Sequence, residues 1–154
     1  MSNPLIGKKS LQLMCTLLVL AASLGGALAA DPALAVNSSD TKLKWGGCPA
    51  FMPKGCELAV LHGDPAKENT DVFLKIPAKS TVPMHTHTSA ERMILTAGEL
   101  HLTYEGQPMS KLKAGSYAYG PAKRPHKAVC VSVKPCILFI AFEQPVDAIA
   151  VDAK

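Results

Sequence analysis

From Cys48 to Phe142 the chain never sustains an apolar pattern for longer than one short strand. Glu99–Tyr104 is the clearest segment. Leu100 and Leu102 fall on one face, and Glu99, His101 and Thr103 on the other. A period of two marks a strand with one buried face. Glu57–Leu61, Asp71–Ile76 and Glu91–Thr96 are similarly short and β-capable, and further strands are expected over 110–113, 116–119, 127–133 and 136–142. Gly63-Asp64-Pro65, Pro77, Ala97-Gly98 and Gly106 break the runs apart. No segment after residue 30 carries a helical period of useful length. Many short strands with Gly and Pro punctuation predict an all-β sandwich or barrel. A domain of about 120 residues suffices for one core.

The N-terminus is of another kind. Lys8 and Lys9 precede the apolar run Leu11–Leu20, small residues follow, and Ala27-Leu28-Ala29 is an A-x-A site, with Ala33-Leu34-Ala35 as a second. This pattern predicts a cleaved secretory leader over 1–29 and no stable membrane insertion afterwards. Residues 30–47 are small, polar and unpatterned, and are expected to form a mobile arm before a domain over 48–154. Removing Lys8 and Lys9 from the 16 basic residues leaves 14 against 12 acidic ones, or +2. That balance, without a basic stripe, argues against a nucleic-acid partner. The predicted location is periplasmic or secreted.

Export changes the meaning of the cysteines. Cys48, Cys56, Cys130 and Cys136 lie beyond the leader, and an even count outside the cytoplasm predicts disulfides. Three pairings are open. Cys48–Cys56 with Cys130–Cys136 is favoured, because the second pair flanks Val131–Pro135, read as the turn of a hairpin whose cross-strand neighbours lie close. A four-thiolate zinc site competes, but the spacings are not those of a zinc ribbon.

The chain has five histidines, and two stand in Met84-His85-Thr86-His87-Thr88-Ser89-Ala90-Glu91. On a strand, residues i and i+2 point to one face, so His85 and His87 project together. Glu91 shares their parity, as do Met93 and Leu95, which would continue the face as an apolar wall. Imidazole pairs and a carboxylate suit a divalent metal, while three polar residues on a wet strand face are the plainer alternative. Downstream, Gly115, Pro121 and His126 recur at spacings of six and five.

With both stretches in view, the chain resembles the cupin superfamily. The first cupin motif, G-x5-H-x-H-x3/4-E-x6-G, stands here as Lys79, His85, His87, Glu91 and Gly98. The second, G-x5-P-x-G-x2-H-x3-N, stands as Gly115, Pro121, Lys123, His126 and Cys130. The resemblance covers roughly 57–143. It implies a jelly-roll barrel holding one divalent metal on His85, His87, Glu91 and His126. Lys79 and Lys123 depart from turn glycines, and Cys130 from an asparagine. Ligands from distant strands are expected to meet through closure of the sheet on itself. Pairing through sheet edges into a homodimer is also expected from the resemblance.

Further residues receive expectations as cavity groups. Tyr117 and Tyr119 share a strand face leading into the second motif. Glu91 is a candidate acid or base as well as a ligand. His101 is a weaker one, read mainly as a solvated strand-face histidine. The ion is manganese, zinc, copper, iron or nickel; assembly outside the cytoplasm favours strong binders over iron(II). Three functions follow for such a site. The first is a metal-dependent enzyme of dioxygenase or oxidoreductase type acting on a small organic molecule. The second is a Lewis-acid lyase, isomerase or decarboxylase. The third is a non-catalytic, sensor-like binder.

Overall fold

The computed structural model describes residues 31–151. The expected leader lies outside the described residues. Contacts divide the chain at Leu34/Ala35, and the unit beginning at Ala35 holds every strand. The strands are β1 (Trp45–Gly47), β2 (Glu57–His62), β3 (Thr70–Ile76), β4 (Thr81–Thr86), β5 (Glu91–Ala97), β6 (Glu99–Tyr104), β7 (Ser110–Lys113), β8 (Tyr117–Gly120), β9 (His126–Cys130), β10 (Cys136–Phe142) and β11 (Ile149–Ala150). Among the described residues none is helical, and no helix is long and apolar enough to cross a membrane.

The strands form two sheets with antiparallel pairing throughout. One, here sheet A, has six strands in the order β1-β2-β3-β10-β5-β8; sheet B has five, in the order β11-β4-β9-β6-β7. This is the all-β jelly roll of the cupins. Chain neighbours are often not sheet neighbours, so the core is sewn together by crossovers. It lies between the inner faces. Val72, Ile76, Leu95, Leu100 and Ile140 are almost wholly buried there. In β10 burial alternates strictly: Cys136, Leu138, Ile140 and Phe142 are buried, and Ile137, Phe139 and Ala141 half-buried. Phe139 packs edge-on against Phe73 of β3, its register partner, on the outer face.

Several local expectations are corrected. The segment 30–47 does not stay irregular to its end. Trp45–Gly47 pairs with Glu57–Ala59 as an edge strand, and the Lys75 ammonium sits 4.1 Å from the centroid of the Trp45 ring. Val131–Pro135 is not a hairpin turn. β9 belongs to sheet B and β10 to sheet A, so the segment crosses between layers. Both favoured disulfides, Cys48–Cys56 and Cys130–Cys136, are present, but the second joins the two sheets rather than neighbouring strands.

The motif departures are accommodated by the backbone. Lys79 and Lys123 adopt φ of 55° and 62°, the left-handed conformation that glycine takes most readily. Lys79 Nζ bonds the carbonyl of Val131, and Lys123 N–H donates to His87 O at 2.8 Å. Gly98 is needed on space as well as angle. A Cβ there would lie 2.8 Å from Cys136 Sγ, so the β5–β6 turn passes directly over the inter-sheet disulfide.

Candidate metal centre

The site is built where β4 and β9 run side by side. His85 and His126 are direct cross-strand partners, so closure of a sheet is not what brings them together. A register shift between Val82 and His85 lets both residues face inward although they are three apart. His87 follows just beyond β4 and turns to the same interior. The three ring centroids lie 4.2 to 5.2 Å apart, and all three histidines are buried. Glu91 arrives from the facing sheet, at the start of β5, and is likewise buried.

Backbone carbonyls fix the ring protons. His85 Nδ1–H donates to Pro83 O at 2.8 Å and His126 Nδ1–H to Arg124 O at 3.0 Å, while His87 Nδ1–H donates to Asp147 O. A carbonyl only accepts, so each Nδ1 carries the proton and each Nε2 is left with a lone pair. Burial lowers all three histidine pKa values, to about 4 for His87 and about 3 for His126. The rings are therefore neutral at ordinary pH. Burial, with the charge of Asp147 second, raises Glu91 to about 8.

These donor atoms converge. One ligand atom from each of His85, His87 and His126 lies within 4.8 Å of the others. Glu91 Oε1 is 3.2 Å from His87 Nε2, and Oε2 is 3.4 Å from His126 Nε2. Glu91 Oε2 has no hydrogen-bond partner although buried. Converging lone pairs beside an unpartnered carboxylate oxygen fit a divalent cation. A second N–H held by a carbonyl is how metal-binding imidazoles are commonly oriented. The histidine cluster can thus hold a metal ion.

The centre opens onto a cavity of about 200 Å³ between the sheets. Met93 lines it with Leu100, Leu102, Leu138, Ile140 and Phe142. Among the described residues, no lysine or arginine does. Leu95 is fully buried but sits deeper in the core, outside the lining. Tyr117 and Tyr119 correct their expectation. They pair with Ile94 and Arg92, whose side chains face outward, so both point to solvent and are more than half exposed. His101 lies on the outer face of β6, with Nε2 3.4 Å from Glu99 Oε1, and does not line the cavity.

Other residues at the site were not singled out from the sequence. Tyr104 continues the Leu100–Leu102 face of β6. Its ring lies 5.1 Å from that of His126, and its buried hydroxyl has no partner. A Cβ on Gly120 would meet Tyr104 Oη at 2.7 Å and Glu91 Oε2 at 3.1 Å, so glycine leaves room for both. Extending the period of two by one step would have found Tyr104. Asp147 gave no such signal. Besides accepting from His87, it receives Thr88 N–H at 2.8 Å and the Thr88 hydroxyl.

Comparison with known proteins agrees with this geometry. The sequence profile of the ChrR cupin-like domain matches residues 37–146. The chain belongs to the ChrR cupin-like family. No curated protein matches this cupin's sequence. Among solved structures it is similar to the DMSP lyase DddQ from Ruegeria pomeroyi, with a TM-score of 0.61 and 18% identity over 71% of this chain and 61% of that one. It is also similar to the polyketide cyclase RemF from Streptomyces resistomycificus, with a TM-score of 0.60 and 16% identity over 79% and 88%. A cupin-like protein from Thermotoga maritima matches with a TM-score of 0.59 and 17% identity over 74% and 90%. The chain spans less than two thirds of the DddQ chain. At these identities the likeness is one of fold.

Proposed function

We propose that this cupin is an exported metal-dependent enzyme, of oxygenase-like oxidoreductase type, acting on a small and largely apolar organic molecule. One observation carries the reading. Three buried imidazoles with free Nε2 lone pairs and the Glu91 carboxylate meet at one end of an apolar cavity. His85, His87, His126 and Glu91 would hold the ion. A divalent ion there supplies a Lewis-acid centre with positions left for a small organic donor and, for a redox-active ion, electron transfer.

The protein's own groups prepare that chemistry. The carbonyls of Pro83, Asp147 and Arg124 hold the three rings in the ligating tautomer before any ion arrives. Glu91 is protonated near neutrality without an ion, so loading releases its proton. The lining is mostly apolar and, among the described residues, offers a substrate no lysine or arginine side chain. A multiply charged anion would therefore be bound poorly, and an uncharged molecule with one donor group well. The two disulfides suit an oxidising compartment, in keeping with the leader-like N-terminus.

The test is calorimetric titration of chelator-treated protein with zinc(II) and manganese(II), beside a His85→Ala/His126→Ala variant. One equivalent bound by the parent and none by the variant is expected. Absence of stoichiometric binding in the parent sinks the proposal. Oxygen-uptake screens on the loaded protein then address the reaction, and failure of every redox-active ion to support uptake would favour Lewis-acid chemistry.

A further inference from the structure

The cavity is bounded at its rim by two segments that are tied down very differently. On one side lie Val146, Asp147 and Ala148. This strap is anchored throughout its length. Val146 N–H donates to Pro65 O at 2.9 Å, Asp147 holds Thr88 and His87, and Ile149 and Ala150 pair with β4. On the other side lie Gly47, Cys48, Pro49 and Met52, from the tip of the β1–β2 hairpin. Gly47 and Pro49 are exposed to solvent and also line the cavity, which places the entrance beside them.

Among the described residues, the hairpin tip has no comparable anchors. Its backbone hydrogen bonds are Cys48 N–H to Cys56 O at 3.3 Å, Met52 N–H to Pro49 O at 2.9 Å and Cys56 N–H to Pro53 O at 2.9 Å. All close within the loop. The Cys48–Cys56 disulfide closes it again at the base. What lays it on the barrel is apolar contact. Met52 packs against the core cluster, and the Phe51 ring centroid lies 6.1 Å from that of His85. The loop is thus a self-contained, cross-linked flap resting on the mouth of the site.

We propose that the Cys48–Cys56 loop is the specificity gate of the cavity, with Met52 as its size-determining side chain, and that it admits compact, uncharged, apolar molecules of about one aromatic ring while rejecting fused rings. This deepens the proposed function and rests on its reading of the cavity as a substrate site. A dry apolar cavity of about 150 Å³ accepts benzene, so the volume here is of the right order for one ring. The long, unbranched thioether of Met52 can be shortened or thickened without touching a ligand, a barrel strand or the disulfide.

The experiment uses the full-length mature protein, metal-free, with benzene and naphthalene as probes followed by methyl-group NMR titration. The parent is expected to bind benzene and to bind naphthalene at least about tenfold more weakly, a discrimination a pocket wall can supply. Met52→Ala should bring naphthalene to within about threefold of benzene, and Met52→Phe should weaken benzene itself by about tenfold. A Cys48→Ser/Cys56→Ser variant should lose the discrimination as Met52→Ala does. An unchanged benzene-to-naphthalene ratio in Met52→Ala, with native chemical-shift dispersion retained, overturns the gate, as does failure of the parent to bind benzene. The probes need no ion. A gate that works in a protein that fails the metal titration would refute the enzyme reading alone; intact metal binding with an unchanged ratio would refute the gate alone.

Discussion

The two sheets face one cavity and furnish it unequally. Sheet B brings His85 and His126 on adjacent strands, with His87 just past β4, among Val82, Leu100, Leu102 and Ala128. Sheet A brings Leu74, Ile76, Met93, Leu138 and Ile140, with Glu91 as its single ionisable contribution. The candidate ligands are concentrated on one wall, while both walls pack apolar side chains and sheet A packs little else. Polar side chains aimed at an ion contribute little to holding the metal-free fold. An apolar wall holds the fold and is nearly silent toward the ion. Each side can therefore be damaged separately.

The largest separation should come from the polar wall. His85→Ala/His126→Ala is expected to lower metal affinity at least about a thousandfold, beyond the roughly 10–100-fold cost of losing an outer-shell partner. Its metal-free stability in urea should fall by only about 1–2 kcal/mol, the cost of leaving the Pro83 and Arg124 carbonyls without their ring donors being offset in part by removal of the buried polar rings. A large loss of metal-free stability would show that the histidines are structural. Ile140→Ala inverts the pattern. It is expected to cost about 2–5 kcal/mol of unfolding free energy while leaving one equivalent of metal bound. Loss of stoichiometric binding in that variant would mean that the walls are not separable.

Smaller effects sharpen the same contrast. Asp147→Ala keeps the carbonyl that receives His87 but frees Thr88, and should weaken metal binding by about tenfold through looser orientation of His87 and loss of the Asp147 charge near Glu91. Thermal shifts with and without ion would detect it, and an unchanged affinity would remove the strap from the site. The pH dependence of metal-free stability separates the walls again. The histidine pKa values fall on folding, so the unfolded chain binds more protons between about 4 and 6.5 and stability rises with pH there. The Glu91 pKa rises from 4.5 to about 8, so the folded chain holds its extra proton over that span; the three histidines outweigh it up to about 6.5, and stability falls from there up to about 8. A maximum near pH 6.5 is expected from these groups together. In Glu91→Gln the falling limb should be lost and the rising limb kept. A falling limb that persists in that variant would assign it elsewhere.

Much of this architecture was legible because it is written in local periods. Strand parity in Glu99–Tyr104 and the spacing from His85 to Gly98 are properties of short windows. Relations between windows were harder to read. Val131–Pro135 has the composition of a hairpin turn, yet composition does not say whether the flanking strands pair or part. Here Cys130 and Cys136 end in different sheets. Tyr117 and Tyr119 read as cavity groups in the sequence because they share a strand face leading into the second motif. β8 is an edge strand whose inward residue is the small Ala118, and the tyrosines cover its outer face. The flap over His85 and the strap that orients His87 come from positions far away in sequence, and no spacing announces them.

The inter-sheet disulfide has a consequence for how the molecule is assembled. Jelly rolls are slow to fold because most of their pairings join residues far apart in the chain. Cys130 and Cys136 are six residues apart, yet they belong to opposite layers. Linking two near neighbours therefore ties the end of β9 to the start of β10 at the point where the chain passes from one sheet to the other. His126 begins β9, so the candidate ligand that pairs with His85 lies on a strand whose far end is cross-linked to the opposite sheet.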